Sequence, residues 1–242
     1  MLCGFQQSYY MFSGSGLAIS DHTMTRNTAY SQATGEIHGT ASDNRKRAGV
    51  FFVALAAQFM TVIMLAAAMA PGYDFGAAAI SDLGVIAETA LVFNISLIVA
   101  GLCNLLGGFY FYQTHGKRWL FAIFALAGIG AIGAGVFPLD TGGLHSLFAL
   151  LAFVFFNVQA LGTATRLSGV MRAISVLAGG IGLVFVVLMA AGDAGNTAAF
   201  GPIGHGGTER MIVYPVMLWL VAFGGYLLGS PDRPDTLVHR GE

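Results

Sequence analysis

The residue types able to do chemistry gather in three short segments: Ser81-Asp82, Asp140 with His145, and His205 followed by Glu209-Arg210. A serine, a histidine and a carboxylate permit nucleophilic catalysis, because the imidazole takes the serine proton while the carboxylate orients the ring. His145, His205 and the acids could instead ligate a metal. Arg210 suits a phosphate or a carboxylate, since a guanidinium offers a bidentate fork. None of these chemistries has its diagnostic spacing: the chain has no GxSxG, no HExxH and no HxxxH. A structural reading competes with all three. Acids favour helix N-termini, and Asp140-Thr141 and Thr208-Glu209 stand where helices should begin. Capping leaves Arg210 unexplained, because a cation in a first helical turn opposes the helix dipole. A partner carboxylate is expected to hold it.

Two further patterns point to packing. Gly128, Gly130 and Gly133 match GxGxxG, but inside an apolar run with no strand before it, so a nucleotide role lacks its context. Ala127, Ala131 and Gly135 form a small-residue stripe on one helix face, and Gly225 and Gly229 form another. Such faces pack within a chain or against a partner. Cys3 and Cys103 show no zinc or redox spacing and make a poor disulfide pair. No metal site and no cofactor are predicted.

The elements that must position these residues follow from composition. Of 242 residues, 56% are hydrophobic and 10% charged, against roughly 25% charged in an ordinary soluble domain. Lipid solvates such a surface directly, so the bilayer is the partner that composition demands. A formal net charge of -1 gives no footprint for nucleic acid. After Arg45-Lys46-Arg47, six apolar runs appear at 48–70, 89–112, 119–138, 144–165, 170–191 and 211–229. Each approaches the roughly 20 residues needed to cross about 30 Å of hydrocarbon. Uninterrupted spans must satisfy their own backbone hydrogen bonds, which makes them helices. The predicted fold is therefore all-α, a compact six-helix transmembrane bundle over 48–230. Polar cytoplasmic tails are expected at 1–47 and 231–242, the first disordered on composition alone. Gly179, Gly180 and Gly182 make the fifth span the weakest of the six. Pro215 should kink the last helix near Met211.

Charge orients the bundle. With six spans, Arg26, Arg45, Lys46, Arg47, Lys117, Arg118, Arg166, Arg172, Arg233 and Arg240 share one side, leaving only Arg210 of the eleven basic residues opposite. The basic side, with both termini, is expected to be cytoplasmic in the cell membrane. The other side collects Asp74, Asp82, Glu88, Asp140, Asp193, Glu209, His145 and His205. Its three loops converge on one face of a bundle and can line a common pocket. Gln58, Asn94, Asn104, Asn157 and Gln159 lie within spans, where interhelical hydrogen bonding is the usual role. The spans carry no mid-membrane acid or base of the kind that marks an ion pathway.

Ser81-Asp82-Leu83-Gly84, Phe93-Asn94, Gly135-Val136-Phe137-Pro138 with His145, and Glu209-Arg210 ahead of a helix containing Trp219 occur in this order. Together they resemble the prokaryotic membrane family catalogued as domain of unknown function 998, over about residues 50–230. The resemblance implies a compact six-helix membrane protein and assigns no activity. It also implies that Ser81, Asp82, Asn94, Pro138, His145, Glu209 and Arg210 are hallmark positions. On residues and resemblance together, an outer pocket binding a lipid headgroup or small polar ligand is expected, through Asp82, Asn94, Asp140, His145, His205, Glu209 and Arg210. The alternatives are a membrane-embedded hydrolase or transferase using Ser81, Asp82, His145 or His205, a small-solute transporter, and a structural subunit.

Overall fold

The computed structural model describes residues 19–230, with side chains from residue 40 onward. The first part of the expected N-terminal tail, and the whole of the C-terminal one, lie outside the described residues. The described residues fall into two units, divided between Thr40 and Ala41. In the first unit the described backbone is helical from Ile19, inside the segment whose sequence shows no helical periodicity. The helix bundle and the candidate site lie in the second unit.

Among the described residues there is no strand, and six helices are long and apolar enough to cross a membrane. They are α1 (Ile19–Met69, apolar over Thr40–Met69), α2 (Ala90–His115), α3 (Arg118–Val136), α4 (Gly143–Ala164), α5 (Gly169–Asp193) and α6 (Gly204–Gly229). Short 3-10 turns at Ser81–Gly84, Leu139–Thr141 and Thr197–Ile203 sit in the three connections that carry the candidate residues. The outer faces of the helices are apolar, with Leu91, Leu147 and Val170 largely exposed. Only a hydrocarbon surrounding leaves such faces unpenalised.

Inside the bundle, Phe52 packs on Phe124 and Phe223, and Trp219 stacks on Phe223 at 5.1 Å. Helices approach closely where glycines face each other. A Cβ on Gly101 of α2 would stand 2.5 Å from the Gly128 carbonyl of α3, and one on Gly49 of α1 would meet the Gly224 carbonyl of α6 at 2.8 Å. The GxGxxG residues are thus packing residues: Gly128 faces α2, while Gly130 lies against the Ala152 backbone of α4. On α6 the working glycine is Gly224. Gly225 and Gly229 face open space, because one position of register turns a helical residue by roughly 100°.

The intramembrane polar side chains bond across helices. Ser96 donates to Gln58 at 2.9 Å, and Asn104 donates to Gln159 at 3.1 Å and to the Phe124 carbonyl at 2.8 Å. Trp219 donates to Ser175 at 2.8 Å, and Asn157 to the Ile212 carbonyl at 3.2 Å. The latter carbonyl lies three residues before Pro215, so α4 grips α6 at its proline-weakened turn. The fifth span is an unbroken helix. Its Gly179 and Gly182 are the surface on which Asn157 of α4 seats.

α6 begins at Gly204, about seven residues before the apolar run that marked it in the sequence. The glycines of 204–207 read as a loop, yet they form a helical turn pressed against the 75–78 backbone. Gly206 donates its N–H to the Gly76 carbonyl at 2.9 Å, and any Cβ on Gly206 would strike the Ala78 carbonyl. Glu209 and Arg210 therefore lie in the second turn of α6 rather than at its start.

Candidate functional site

Arg210 faces the 73–78 segment, which follows α1. Its Nη1 donates to the carbonyls of Phe75 at 2.8 Å, Ala78 at 3.0 Å and Gly206 at 2.7 Å. Its Nη2 donates to the Tyr73 hydroxyl at 2.7 Å, and that hydroxyl donates onward to the Ala79 carbonyl at 2.6 Å. The guanidinium also lies over the Phe75 ring, 4.7 Å from its centre. The expected partner carboxylate is replaced by main-chain carbonyls, a phenol and an aromatic face. Arg210 is 8% exposed, with both terminal nitrogens bonded by the protein and its Nε buried without a partner among the described residues. Burial pushes the Tyr73 phenol up, and the nearby guanidinium partly offsets this.

Glu209 points into the next turn. Its carboxylate accepts the Ile80 N–H at 2.5 Å, with the Ser81 N–H beside it. It thus caps the Ser81–Gly84 turn from another part of the chain and does not cap α6. Thr208 donates to the Gly204 carbonyl of its own helix at 2.9 Å. Asp140-Thr141 makes no side-chain cap on α4 either. Thr141 bonds back to the Pro138 carbonyl, and Asp140 is exposed.

Two other predicted residues shape the same turn. Asp82 accepts the Ala79 N–H at 2.8 Å, a local turn contact. Asn94 donates to the Gly84 carbonyl at 2.9 Å, tying α2 to the end of the turn. Gly84 is needed there, since a Cβ would stand 2.7 Å from the Asn94 side-chain oxygen. Among the lining residues of the two cavities described next, Asp82, Asn94, Asp140 and Arg210 do not occur.

Ser81, His145 and Glu209 do occur, in both. One cavity, about 60 Å³, lies inside the bundle among Phe59, Phe93, Phe156, Val216 and Met217. The other is a groove of about 320 Å³ between α4, α5 and α6, bounded by Leu150, Phe153, Val186 and Met189 and by Asp193 and His205. Ala149, Phe153 and Ile212 also line both. The groove reaches the lower end of the roughly 300–1,000 Å³ typical of ligand pockets, whereas the interior cavity takes only a small group.

The chemistry of this junction is set by His145, 5% exposed. Its Nδ1 lies 2.8 Å from the Phe137 carbonyl. A carbonyl can only accept, so Nδ1 carries the proton, and a neutral ring then has Nε2 as a free acceptor. No hydrogen bond to Nε2, and none from the Ser81 hydroxyl, occurs among the described residues. Ser81, His145 and a carboxylate therefore share a cavity without forming a relay. At the groove's rim His205 Nε2 stands 3.2 Å from an Asp193 carboxylate oxygen, and its ring meets Phe200 edge-on at 5.0 Å. No group of three or more His, Cys, Asp or Glu among the described residues could hold a metal ion.

Sequence reasoning did not single out Tyr73, the Phe137 carbonyl or Asp193 as parts of a site. The first two act through a phenol and a main-chain oxygen that leave no spacing signature. Asp193 was visible as one of the acids at this end, and only the fold pairs it with His205.

No curated protein and no solved structure matches the chain. A family model does, over residues 50–226, which reaches all six helices and takes in every residue of the junction. The chain belongs to the family described as protein of unknown function (DUF998).

Proposed function

We propose that this multi-pass protein of the cell membrane binds an amphipathic ligand, a lipid or lipid-like small molecule, where the groove meets the interior cavity. The ligand's polar head faces Ser81, His145, His205 and Glu209. Its apolar part lies along Phe153, Val186 and Met189. The observation that carries this reading is the sharing of Ser81, His145 and Glu209 by a groove and an apolar interior cavity. Polar groups placed at the meeting of two apolar surfaces match a molecule with a head and a chain. The segregation of basic residues supports an outward-facing junction.

A hydrolase is the weaker reading, because its serine needs a base within hydrogen-bond reach. Transport is weaker too, since the Asn104 and Gln159 amides bond each other and the Asn157 amide nitrogen bonds α6.

Native mass spectrometry of the protein in nanodiscs tests the proposal, comparing wild type with His145→Ala and Ala149→Phe. Ala149 borders both cavities, so a phenyl ring there fills their junction. A co-purifying lipid-sized adduct in the wild type, lost in Ala149→Phe and reduced in His145→Ala, is the expected outcome. An adduct retained in both variants, or none in any sample, contradicts it.

A further inference from the structure

The groups around the junction differ in what they can offer a ligand. The one lysine or arginine of this end, Arg210, has both terminal nitrogens bonded to three carbonyls and a phenol and its Nε buried. What remains toward the cavities is mainly acceptor in character, with the Ser81 hydroxyl able to donate or accept. His145 Nε2 lacks a partner among the described residues, and its tautomer is set by the Phe137 carbonyl. The Glu209 carboxylate is 3% exposed and lines both cavities. Its two neighbouring backbone N–H groups occupy about half of the roughly four lone-pair sites a carboxylate has. Asp193 adds a second carboxylate at the groove's rim.

The wider field has the same sign. Asp74, Asp82, Glu88, Asp140, Asp193 and Glu209 stand at this end against Arg210 alone among lysines and arginines. Low-dielectric walls lined by one sign of charge concentrate ligands of the other. A phosphate or sulfate head would bring more acceptors to a site already made of them, and its charge would meet Glu209 at close range.

We infer that the junction selects an alkylammonium amphiphile, a primary amine on an apolar chain, over an anionic one. This rests on the binding reading above and sharpens it. An ammonium brings three donors and no acceptor, matching Glu209, His145 Nε2 and the Ser81 hydroxyl. The chain then follows Phe153 and Met189 along the groove.

The test titrates a long-chain primary amine, the chain-matched alkyl phosphate and the chain-matched alcohol into the protein in nanodiscs of zwitterionic lipid. Binding is read by calorimetry, with Ala149→Phe as the blocked control. The amine is expected to bind about tenfold or more tighter than the phosphate, the worth of one charge-assisted hydrogen bond. Glu209→Gln should erase most of the amine's advantage over the alcohol. Asp193→Asn, at an exposed rim position, should narrow it and serves if Glu209→Gln fails to fold. Phosphate binding that equals or exceeds the amine's and is abolished by Ala149→Phe overturns the selectivity and leaves the pocket standing. Binding of all three that ignores Ala149→Phe overturns the pocket itself, and the selectivity with it.

Discussion

Glu209 and Ile80 lie 129 positions apart, and the Ile80 N–H donates to the Glu209 carboxylate at 2.5 Å. This bond fixes the start of the Ser81–Gly84 turn on α6 and thereby sets where Ser81 stands relative to His145. The adjacent Arg210 fastens the preceding 73–78 segment to the same helix turn. One dipeptide of α6 thus positions residues 73–81 of the connection between α1 and α2.

Arg210 is consequently a scaffold residue, and its removal should be felt as lost stability. Arg210→Ala leaves the Phe75 and Ala78 carbonyls and the Tyr73 hydroxyl without their shared donor. A loss of about 3 kcal/mol is expected, the scale of removing a buried charged hydrogen-bonding group. Arg210→Lys should recover only part, because an ammonium has three donors and no planar fork. Thermal unfolding in mild detergent reads both. A normally stable Arg210→Ala protein would contradict the assignment.

Glu209 can be divided into its two roles by paired substitutions. Glu209→Gln keeps an oxygen for the Ile80 N–H, whereas Glu209→Ala strands that donor beside a side chain 2% exposed. Ala should therefore cost about 1–3 kcal/mol more than Gln, the desolvation penalty of an unsatisfied buried group. Equal stability of the two variants would show that the hydrogen bond does not hold the turn.

Glycine substitutions separate packing positions from open ones. Gly101→Ala and Gly224→Ala place a Cβ 2.5 and 2.7 Å from a facing carbonyl, at Gly128 and Gly49 respectively. Each should destabilise by about 1–3 kcal/mol, as overpacking does. Gly225→Ala and Gly229→Ala meet nothing within 4 Å and should fold as the wild type. Thermal melts of the four variants would reverse this account if the second pair proved the more damaging.

The orientation is tested by single cysteines in a background lacking Cys3 and Cys103. Asp140→Cys lies at the junction end and Lys117→Cys at the opposite end, both at exposed positions. A membrane-impermeant maleimide should label the first in intact cells and the second only after permeabilisation. The opposite pattern would invert the bundle.

The helices were legible in the sequence because each needs nothing beyond its own apolar run. Four of them start and stop within a few residues of the apolar segments, while α1 extends back to Ile19 and α6 back to Gly204. The start of α6 was hidden because Gly204, Gly206 and Gly207 signal a loop until the 75–78 backbone is set against them. His145, Glu209 and Ser81 were visible as candidates from residue type alone, and the fold brings all three to both cavities. Arg210 was visible too, but its partners are mostly main-chain oxygens, which every sequence contains. Distinguishing Gly224 from Gly225 required knowing which face of α6 meets Gly49.

The account's central claim is that an amphiphile occupies the junction of groove and interior cavity. Its most direct test is photo-crosslinking, with a long-chain amine carrying a diazirine near its head, in nanodisc-embedded protein followed by peptide mapping. The account predicts labelling concentrated on α4 between His145 and Phe153 and on α5 near Met189, suppressed by an excess of the unmodified amine. Labelling confined to lipid-facing positions such as Leu91, Leu147 and Val170, and unaffected by competitor, would contradict it.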